Sequence, residues 1–455
     1  MTSDLKLKSR MLNAGVWLVG GNFSSQLLRL ISNLILTRLL VPEAFGLVAT
    51  VNTLYFALVM FSDLGVWQSV VKSERGHDPR FLGTAWLLQI MRGGVLAGIV
   101  LVLALGLYFG AGAGLFVAGT VYADSRLPAM MAVFALCAIV QSLESMKLAV
   151  AQRELHARQL AGLELTAQLA GMAVTIGLAW ATRSVWALLL GTLAGGITKA
   201  VLSHVAVPGD KIRPCWDQGC AKEIFGFGKW IFMSSIVGFL AAHGEKLILG
   251  YSLNAATFGV YSIANNLLTP VTGVYAALNA RVIFSSLSLA LRSKDAGEFV
   301  RAYTRVQQIA DIFLGVLAGG LLMSGQWLVW LLYDQRYKDA GWMLQYVSLS
   351  LLAMRHQVVE QIMFARGMPA LVTANNLLRA GLLAVAIPIG FSLHGTAGAV
   401  IGVVISQFAS WPLSLRFKYK EGLLNWSTEK WWLPALLAGM AGGWLLDALL
   451  SALIR

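Results

Sequence analysis

The sequence predicts an all-α polytopic membrane protein with about 13 transmembrane helices, in a range of about 12 to 14, arranged as two repeated halves. Three observations lead to this fold class: the composition, the spacing of apolar segments and an internal repeat. Of the 455 residues, 57% are hydrophobic and only 13% are charged. Such a composition lies far outside that of a soluble globular domain and places the chain in a lipid bilayer.

Apolar segments of about 20 residues, the length that crosses a bilayer as an α-helix, recur along the whole chain. Short polar loops join them, and no polar stretch is long enough for a soluble domain. The predicted helices lie near residues 12–36, 45–70, 88–110, 128–148, 160–180, 185–206, 226–250, 258–282, 305–325, 342–364, 371–392, 397–415 and 431–452.

The internal repeat joins residues 34–54, LILTRLLVPEAFGLVATVNTL, to residues 247–267, LILGYSLNAATFGVYSIANNL, at an offset of 213. Eight of the 21 aligned positions are identical. The matches that apolar composition explains least are Phe45-Gly46 with Phe258-Gly259 and Asn52 with Asn265. Each copy reads as helix, short turn, helix. Membrane proteins built from two repeated halves are more often transporters than enzymes, because two lobes can rock around a site between them.

Basic residues predict the orientation of the chain. Of those in loops, 21 fall on the side of the N-terminus and six on the opposite side. The positive-inside rule therefore predicts a cytoplasmic N-terminus. The formal net charge of +13 is spread over many short loops, which argues against nucleic-acid binding. The six opposite residues are Arg38, Arg126, Arg183, Arg336, Lys338 and Arg455.

The sequence shows no signature of a cofactor or of an enzymatic site. The three cysteines, Cys137, Cys215 and Cys220, are odd in number, and their spacing matches no zinc pattern. No nucleotide-binding loop is present, and no set of side chains has the spacing of a catalytic triad or a metalloprotease motif. We therefore predict a protein that is not an enzyme and needs neither a metal nor another cofactor.

Several basic residues fall inside predicted helices, where each costs about 2.5–3.5 kcal/mol at the centre of a span. Arg29, Arg92, Arg355 and Arg379 lie too far from helix ends to reach the membrane surface, so they should face protein or water. They are the first candidates for binding an anionic substrate, and Lys246 is the next. The alternative for each is an internal ion pair.

One face of the first predicted helix is polar. Asn22, Gln26, Arg29 and Asn33 follow one another at spacings of four, three and four, which places them on the same side of an α-helix. Such a stripe indicates a water-filled cavity or, alternatively, a face satisfied by neighbouring helices. Asn265 begins a weaker polar face on the eighth helix.

Three titratable residues inside predicted helices are candidates for coupling transport to an ion gradient: Asp311, His356 and Glu360. A carboxylate inside the membrane can change its charge as the water around it changes. His356 and Glu360 are four residues apart and can touch on a helix. Glu360 is equally well explained as a static partner of Arg355.

Five segments in a fixed order resemble the polysaccharide-transporter branch of the MOP superfamily, the Wzx-type flippases of lipid-linked oligosaccharides. The segments are LILTRLLVPEAFGLVA, FSDLGVWQSVV, KLAVAQRELHARQLAG, VWALLLG and EKLILGYSLNAATFGVYSIANNLLTP. The resemblance implies a MATE-like fold of two six-helix lobes, residues 1–206 and 222–420, around a central cavity. Residues 207–221 would be a cytoplasmic linker. Residues 421–455 would add one transmembrane segment, where the family usually has two.

The resemblance also implies a function in the bacterial inner membrane. The substrate would be an undecaprenyl-diphosphate-linked oligosaccharide, moved outward by alternating access for exopolysaccharide, capsule or O-antigen synthesis. Arginines would bind the diphosphate, and the amides of Asn22, Gln26, Asn33 and Asn265 would bind sugar hydroxyls. Membrane lipids and the polysaccharide polymerase machinery are the other expected partners.

Three other functions stay open at this point. A multidrug or cation exporter of the same superfamily would share the repeat, but it is expected to have an acidic cavity. A flippase of lipid-linked peptidoglycan precursors would belong to a sister branch. A polymerase or ligase for lipid-linked glycans is expected to carry a long external loop, whereas the predicted loops here are short.

Overall fold

The computed structural model describes residues 2–63, 65–154, 156–279, 283, 286–287, 291 and 296–454, and within these ranges it contains helices and no strand. The all-α prediction is therefore confirmed. Its α-helices are α1 Thr2–Leu39, α2 Pro42–Phe61, α3 Val66–Lys72, α4 Pro79–Gly112, α5 Leu127–Ser142, α6 Lys147–Arg153, α7 Ala157–Thr182, α8 Trp186–Val205, α9 Gln218–Ser252, α10 Ala255–Leu278, α11 Ala296–Leu332, α12 Ala340–Ser348, α13 Ser350–Ala353, α14 Gln357–Ala365, α15 Pro369–Gln407, α16 Trp411–Lys420, α17 Trp426–Glu429 and α18 Trp432–Ile454.

Two predicted helices of the first half are divided by a turn or a bend, and the predicted helix 342–364 comprises α12, α13 and α14. The predicted helix 45–70 is wrong as a single element: α2 ends at Phe61, and α3 begins after Gly65, whose φ of 64° favours glycine. The predicted helix 128–148 is divided in the same way, because α5 and α6 meet at a bend of 61°. Hydropathy reports burial in lipid and carries no signal for a break inside an apolar stretch.

Seven helical segments in the described ranges are long and apolar enough to cross a membrane, and α5 with α6 could form one more. The total of thirteen spans stays a prediction. The eighth predicted helix, 258–282, corresponds to α10, and its residues 280–282 lie outside the described part of the chain. α15 contains a kink at His394 and Gly395, so it supplies both the eleventh predicted helix and most of the twelfth.

The repeat predicted from the sequence is reproduced in the helix boundaries. The offset of 213 residues separates the ends of α1 and α9, Leu39 and Ser252, and also the starts of α2 and α10, Pro42 and Ala255. Phe45 and Phe258 are both buried in the first turn of the second helix of the repeat. The two copies therefore share one helix–turn–helix unit, as expected.

The chain forms two compact units, Met1–Ile236 and Val237–Arg455. The first unit contains the predicted linker 207–221, which packs on α4. The backbone N–H of Cys215 donates to the carbonyl of Gly83 at 3.4 Å, and a Cβ at Gly83 would overlap the linker backbone at Arg213. Asp217 starts α9 by accepting the backbone N–H of Cys220 at 2.8 Å, which lowers the pKa of that carboxyl.

An arginine follows the fourth predicted helix of each half, again at an offset of 213 residues. Arg153, at the end of α6, donates to the backbone carbonyls of Val70, at 3.3 Å, and Ser73, and so satisfies the end of α3. Arg366, after α14, forms an ion pair with Glu421 at the end of α16. Equivalent positions in the two units thus use the same residue type for different contacts.

In the second unit, α18 packs along α11 through glycines. Gly315, Gly319 and Gly320 on α11 face Ala435, Leu436, Gly439 and Gly443 on α18, and the order of these contacts shows that the two helices run in the same direction. A Cβ at Gly439 would overlap the carbonyl oxygen of Val316. Small residues permit such close approach between membrane helices. The last helix is therefore an integral part of the second unit.

We predict that Gly439→Leu destabilises the protein by about 1–3 kcal/mol, because the added side chain must push α18 away from α11. Gly442→Leu is the matched control, since a Cβ at Gly442 meets nothing within 4 Å. Both changes raise helix propensity equally. Thermal unfolding in detergent should show a lower Tm only for Gly439→Leu. Equal Tm values for the two variants would contradict the described packing.

Candidate functional site

The polar stripe of the first helix lies on α1 as predicted. Asn22 and Arg29 are exposed, and Gln26 and Asn33 are half-buried. Arg29 makes no hydrogen bond or ion pair with any described residue. It lies ten residues before the end of α1 at Leu39, which corresponds to about 15 Å, or about half the hydrocarbon thickness. Arg29 thus carries a positive charge without a described protein partner, inside the first predicted span, residues 12–36.

The side of α1 next to this stripe is packed on α7. Ser25 donates through its hydroxyl to Gln168 Oε1 at 2.5 Å, and Gln168 Nε2 donates to the backbone carbonyl of Ser25 at 2.9 Å. A Cβ at Gly21 would lie 2.8 Å from Cβ of Ala161, so the two helices approach closely there. These contacts fix the rotation of α1 and so determine which way the polar stripe faces.

The polar residues of α10 are arranged differently. Asn265 is half-buried, and its carbonyl accepts the hydroxyl of Thr269 at 3.3 Å, next to Pro270. Thr272 donates to the carbonyl of Thr269 at 3.1 Å. These hydroxyls therefore satisfy the backbone of α10 around the proline. Sugar binding by Asn265 stays a prediction.

Arg92, predicted as a substrate contact, lies against the end of α2. Its Nη2 donates to the carbonyl of Val59 at 2.7 Å, and its Nε donates to Ser62 Oγ at 3.2 Å. Asp63 Oδ1 lies 3.9 Å from Nη1, so the pair is loose. The guanidinium is thus used mainly to satisfy helix-end carbonyls.

Arg355 and Asp311 belong to a buried four-charge network that the sequence did not predict. Arg355 binds Asp311 with Nε and Nη2, both at 2.7 Å, and binds Glu429 Oε2 with Nη2 at 3.0 Å. Lys418 Nζ binds Glu429 Oε1 at 2.6 Å, and its side chain is 0% exposed. Gln307 donates a further bond to Asp311 at 2.8 Å. Two acids and two bases thus neutralise one another inside the second unit.

Arg355 and Lys418 have partners that the sequence pattern does not indicate. Arg355 pairs with Asp311 and Glu429, whereas the sequence offers Glu360 as one possible partner. Lys418 was counted among the basic loop residues, because it lies in a polar run that hydropathy places outside the membrane. Tyr303, Gln307 and Asp311 follow one another at intervals of four residues, which places them on one face of α11. This spacing is the sequence signal that indicates a polar cluster there.

Glu360 and Arg379 form a second polar cluster in the same unit. Arg379 donates to Gln407 Oε1 from across the kink of α15, and it interacts electrostatically with Glu360 and Glu245. Neither carboxylate has an ion pair within 4.0 Å among the described residues. Asn375, one turn before Arg379, is 0% exposed and both of its amide atoms lack a hydrogen-bond partner. This cluster is therefore much less completely paired than the network around Arg355.

The remaining two predicted residues have separate surroundings. His356 is buried beside Trp411, with the ring centroids 6.0 Å apart, and its Nδ1 has no hydrogen-bond partner. Lys246 is half-buried on α9 next to the buried Glu245. Within the described ranges, no group of three His, Cys, Asp or Glu side chains could hold a metal ion.

We predict that Glu429→Ala destabilises the protein by about 3–5 kcal/mol, because it leaves Lys418 buried without its carboxylate partner. The double variant Lys418→Met, Glu429→Leu should recover most of this loss, since it removes both charges and keeps Arg355 paired with Asp311. Glu74→Ala, at an exposed loop position, is the control. Unfolding midpoints in detergent measure all three. A Glu429→Ala protein as stable as the control would contradict the network.

Comparison with known proteins identifies the family and the fold. The family described as "Polysaccharide biosynthesis protein" matches residues 35–342, more than half of the chain. The lipopolysaccharide biosynthesis protein WzxC of Escherichia coli (strain K12) is 23% identical over 440 residues, which cover 93% of this chain and 86% of WzxC.

Two solved structures share the fold. An inward-facing multidrug resistance MATE family transporter of the MOP superfamily superposes with a TM-score of 0.66 at 14% identity, over 89% of this chain and 96% of that one. The lipid II flippase MurJ in an inward closed conformation superposes with a TM-score of 0.65 at 14% identity, over 97% of this chain and all of MurJ. The predicted MATE-like fold is confirmed. Because the family match covers residues 35–342, the chain belongs to the polysaccharide biosynthesis protein family.

Proposed function

We propose that this protein moves a lipid-linked oligosaccharide from the inner to the outer leaflet of the bacterial inner membrane by alternating access. Its family is described as a polysaccharide biosynthesis protein, its relative WzxC is a lipopolysaccharide biosynthesis protein, and MurJ, which has the same fold, is a lipid II flippase. The substrate class that fits these descriptions is an undecaprenyl-diphosphate-linked oligosaccharide. No chemical step is required.

The observation that carries this proposal is that Arg29 is exposed and makes no hydrogen bond or ion pair with a described residue. An arginine facing lipid at mid-depth would cost several kcal/mol, so an exposed guanidinium there has to face water. Asn22, Gln26 and Asn33 share its face of α1 and add amide groups to the same surface. A polar, positively charged surface inside the membrane suits an anionic, hydroxyl-rich cargo and opposes a cationic drug.

The chemistry of the cargo matches these residue types. A diphosphate crossing the hydrocarbon must exchange its water shell for fixed donors, and the guanidinium of Arg29 offers up to five of them in a planar arrangement. Amides supply both donors and acceptors for sugar hydroxyls. The polyprenyl tail can stay in lipid throughout. Arg29 ranks before Arg92 and Arg355 as a diphosphate contact, because those two arginines are occupied by protein groups.

The proposal assigns the coupling role to Glu360 among the three predicted candidates. Asp311 is held by Arg355 and Gln307, and His356 is packed against Trp411. Glu360 has no ion pair within 4.0 Å among the described residues, and Arg379 is its electrostatic neighbour. A carboxylate in this situation can take up and release a proton without breaking a closed salt bridge. Contact with the polymerase machinery stays a prediction.

We predict that Arg29→Gln lowers the flipping rate about tenfold, because it removes a charged donor from the diphosphate. Arg29→Lys should keep part of the rate, since it keeps the charge and loses the planar geometry. The assay uses proteoliposomes with an undecaprenyl-diphosphate oligosaccharide and measures the glycan that a lectin can reach from outside. Arg126→Gln, in a loop where Arg126 pairs with Asp124, is the control.

The same vesicles discriminate between the candidate functions. If the wild-type protein flips lipid II and not the oligosaccharide, it is a peptidoglycan-precursor flippase. If it moves neither lipid but exchanges an organic cation for protons, it is an exporter. An Arg29→Gln protein that flips the oligosaccharide at the wild-type rate would refute the role given to α1.

We predict that Glu360→Gln abolishes the acceleration of flipping by an imposed pH gradient and leaves the gradient-independent rate within about twofold, because the substitution removes a titratable proton and little volume. Glu164→Gln is the control, since Glu164 lies within α7 and is exposed, with its Oε2 3.3 Å from Lys199 Nζ. The rate is measured with and without a protonophore. A Glu360→Gln protein that still responds to the gradient would exclude Glu360 as the coupling residue.

A further inference from the structure

Two helices of the first unit are interrupted near the same end, and α4 crosses both interruptions. α2 stops at Phe61 and continues as α3 from Val66, and α5 stops at Ser142 and continues as α6 from Lys147. The three residues of α4 that meet these interruptions, Gln89, Arg92 and Gly93, lie within about one helical turn. One turn of α4 therefore serves both broken helices.

Arg92 satisfies the interrupted end of α2. The last carbonyls of a helix lack partners within the helix, and their partial negative charge attracts a cation. Arg92 donates to the carbonyl of Val59 at 2.7 Å and to the hydroxyl of Ser62 at 3.2 Å. Asp63, 3.9 Å from the guanidinium, also accepts the backbone N–H of Gly65 at 2.9 Å. Arg92 thus contacts both the end of α2 and the turn that leads to α3.

Gln89 satisfies the interrupted end of α5 in the same way. Its Nε2 lies 3.3, 3.2 and 3.3 Å from the backbone carbonyls of Gln141, Ser142 and Glu144. Gly93 permits this approach, because a Cβ at that position would overlap the side chain of Ser142. The position of α4 against the end of α5 therefore depends on a glycine as well as on an amide.

α3 and α6 are joined to each other. Trp67 Nε1 on α3 donates to Gln152 Oε1 on α6 at 2.6 Å, and Arg153 at the end of α6 donates to carbonyls at the end of α3. Both helices also contribute to one buried apolar cluster, α3 with Val70 and α6 with Ala149, in which they pack on Phe81 of α4 and Ile224 of α9. Separating the two helices would break a hydrogen bond, a helix cap and a core contact.

We propose that α3 and α6 move as one body about the two interruptions, and that Gln89 and Arg92 are positioning residues that hold this body in its resting orientation. Arg92 then acts on transport through helix ends and does not contact the substrate. The proposal goes beyond the proposed function, because it concerns a motion within the first unit that can be measured without any substrate.

The test measures distances between spin labels carried on keto-bearing amino acids, which leaves the native cysteines in place. Labels replace Lys72 at the end of α3, Glu154 after α6 and Thr182 at the far end of α7, about 40 Å from Glu154. In Arg92→Gln we expect the Lys72–Thr182 and Glu154–Thr182 distance distributions to shift or broaden together. The Lys72–Glu154 distribution should stay as in the wild type, and Arg92→Lys should restore all three.

Gly93→Ala and Gly94→Ala provide a second, independent comparison in case Arg92→Gln does not fold. A Cβ at Gly93 overlaps Ser142, whereas a Cβ at Gly94 meets nothing within 4 Å. Only Gly93→Ala should move the α3–α6 body. Unchanged distributions in both Arg92→Gln and Gly93→Ala would overturn the positioning role. A changed Lys72–Glu154 distribution would overturn the single-body motion.

Transport supplies the last readout and rests on the proposed function. Arg92→Gln should lower the flipping rate about tenfold, and Arg92→Lys should keep most of it, since an ammonium can also bind helix-end carbonyls. If the wild-type protein flips no lipid at all, the proposed function fails while the distance measurement still decides the motion. If Arg92→Lys is as slow as Arg92→Gln while its distances are normal, Arg92 contacts the substrate and the positioning role is wrong.

Discussion

The cost of leaving a polar group without a partner inside a bilayer governs this structure more than any other interaction. Backbone groups there must bond within the protein, and a charge must find an opposite charge, a carbonyl or water. The arginines of the chain meet this constraint in three ways. Arg92 binds the carbonyls of an interrupted helix, Arg355 binds two carboxylates, and Arg29 has no protein partner among the described residues. The last case is the basis of the proposed cargo path.

Most of the fold could be predicted from the sequence, because hydropathy and repetition report the two things that decide it. The length of the apolar segments gives the positions of the helices, and the repeat gives an offset of 213 residues that the helix ends of the repeated unit reproduce. The interruptions at Gly65 and after Ser142 could not be predicted, since their residues sit within apolar stretches. A break becomes stable only when side chains such as Gln89 and Arg92 arrive from another helix.

Helical periodicity predicts which residues of the candidate site share a helix face. It does not predict contacts between segments that are distant in the sequence. The stripe on α1 follows from helical spacing, so Asn22 and Arg29 share a face as expected. The partner of Arg355 does not follow from spacing, because Glu429 comes from the short helix before α18. Proximity in sequence offers Glu360 as one alternative. A polar segment that follows a transmembrane helix can thus contribute buried residues, as Lys418 and Glu429 do in the second unit.

Arg153 and Arg366, which follow the fourth predicted helix of each half, should respond differently to added salt. Arg153 binds neutral backbone carbonyls, whereas Arg366 pairs with the carboxylate of Glu421. Dissolved ions screen an attraction between two net charges far more than a contact between a charge and a dipole. Raising the ionic strength should therefore loosen the Arg366 contact first and leave the Arg153 contact almost intact. Two arginines at equivalent positions of the repeat thus differ in how strongly salt acts on their contacts.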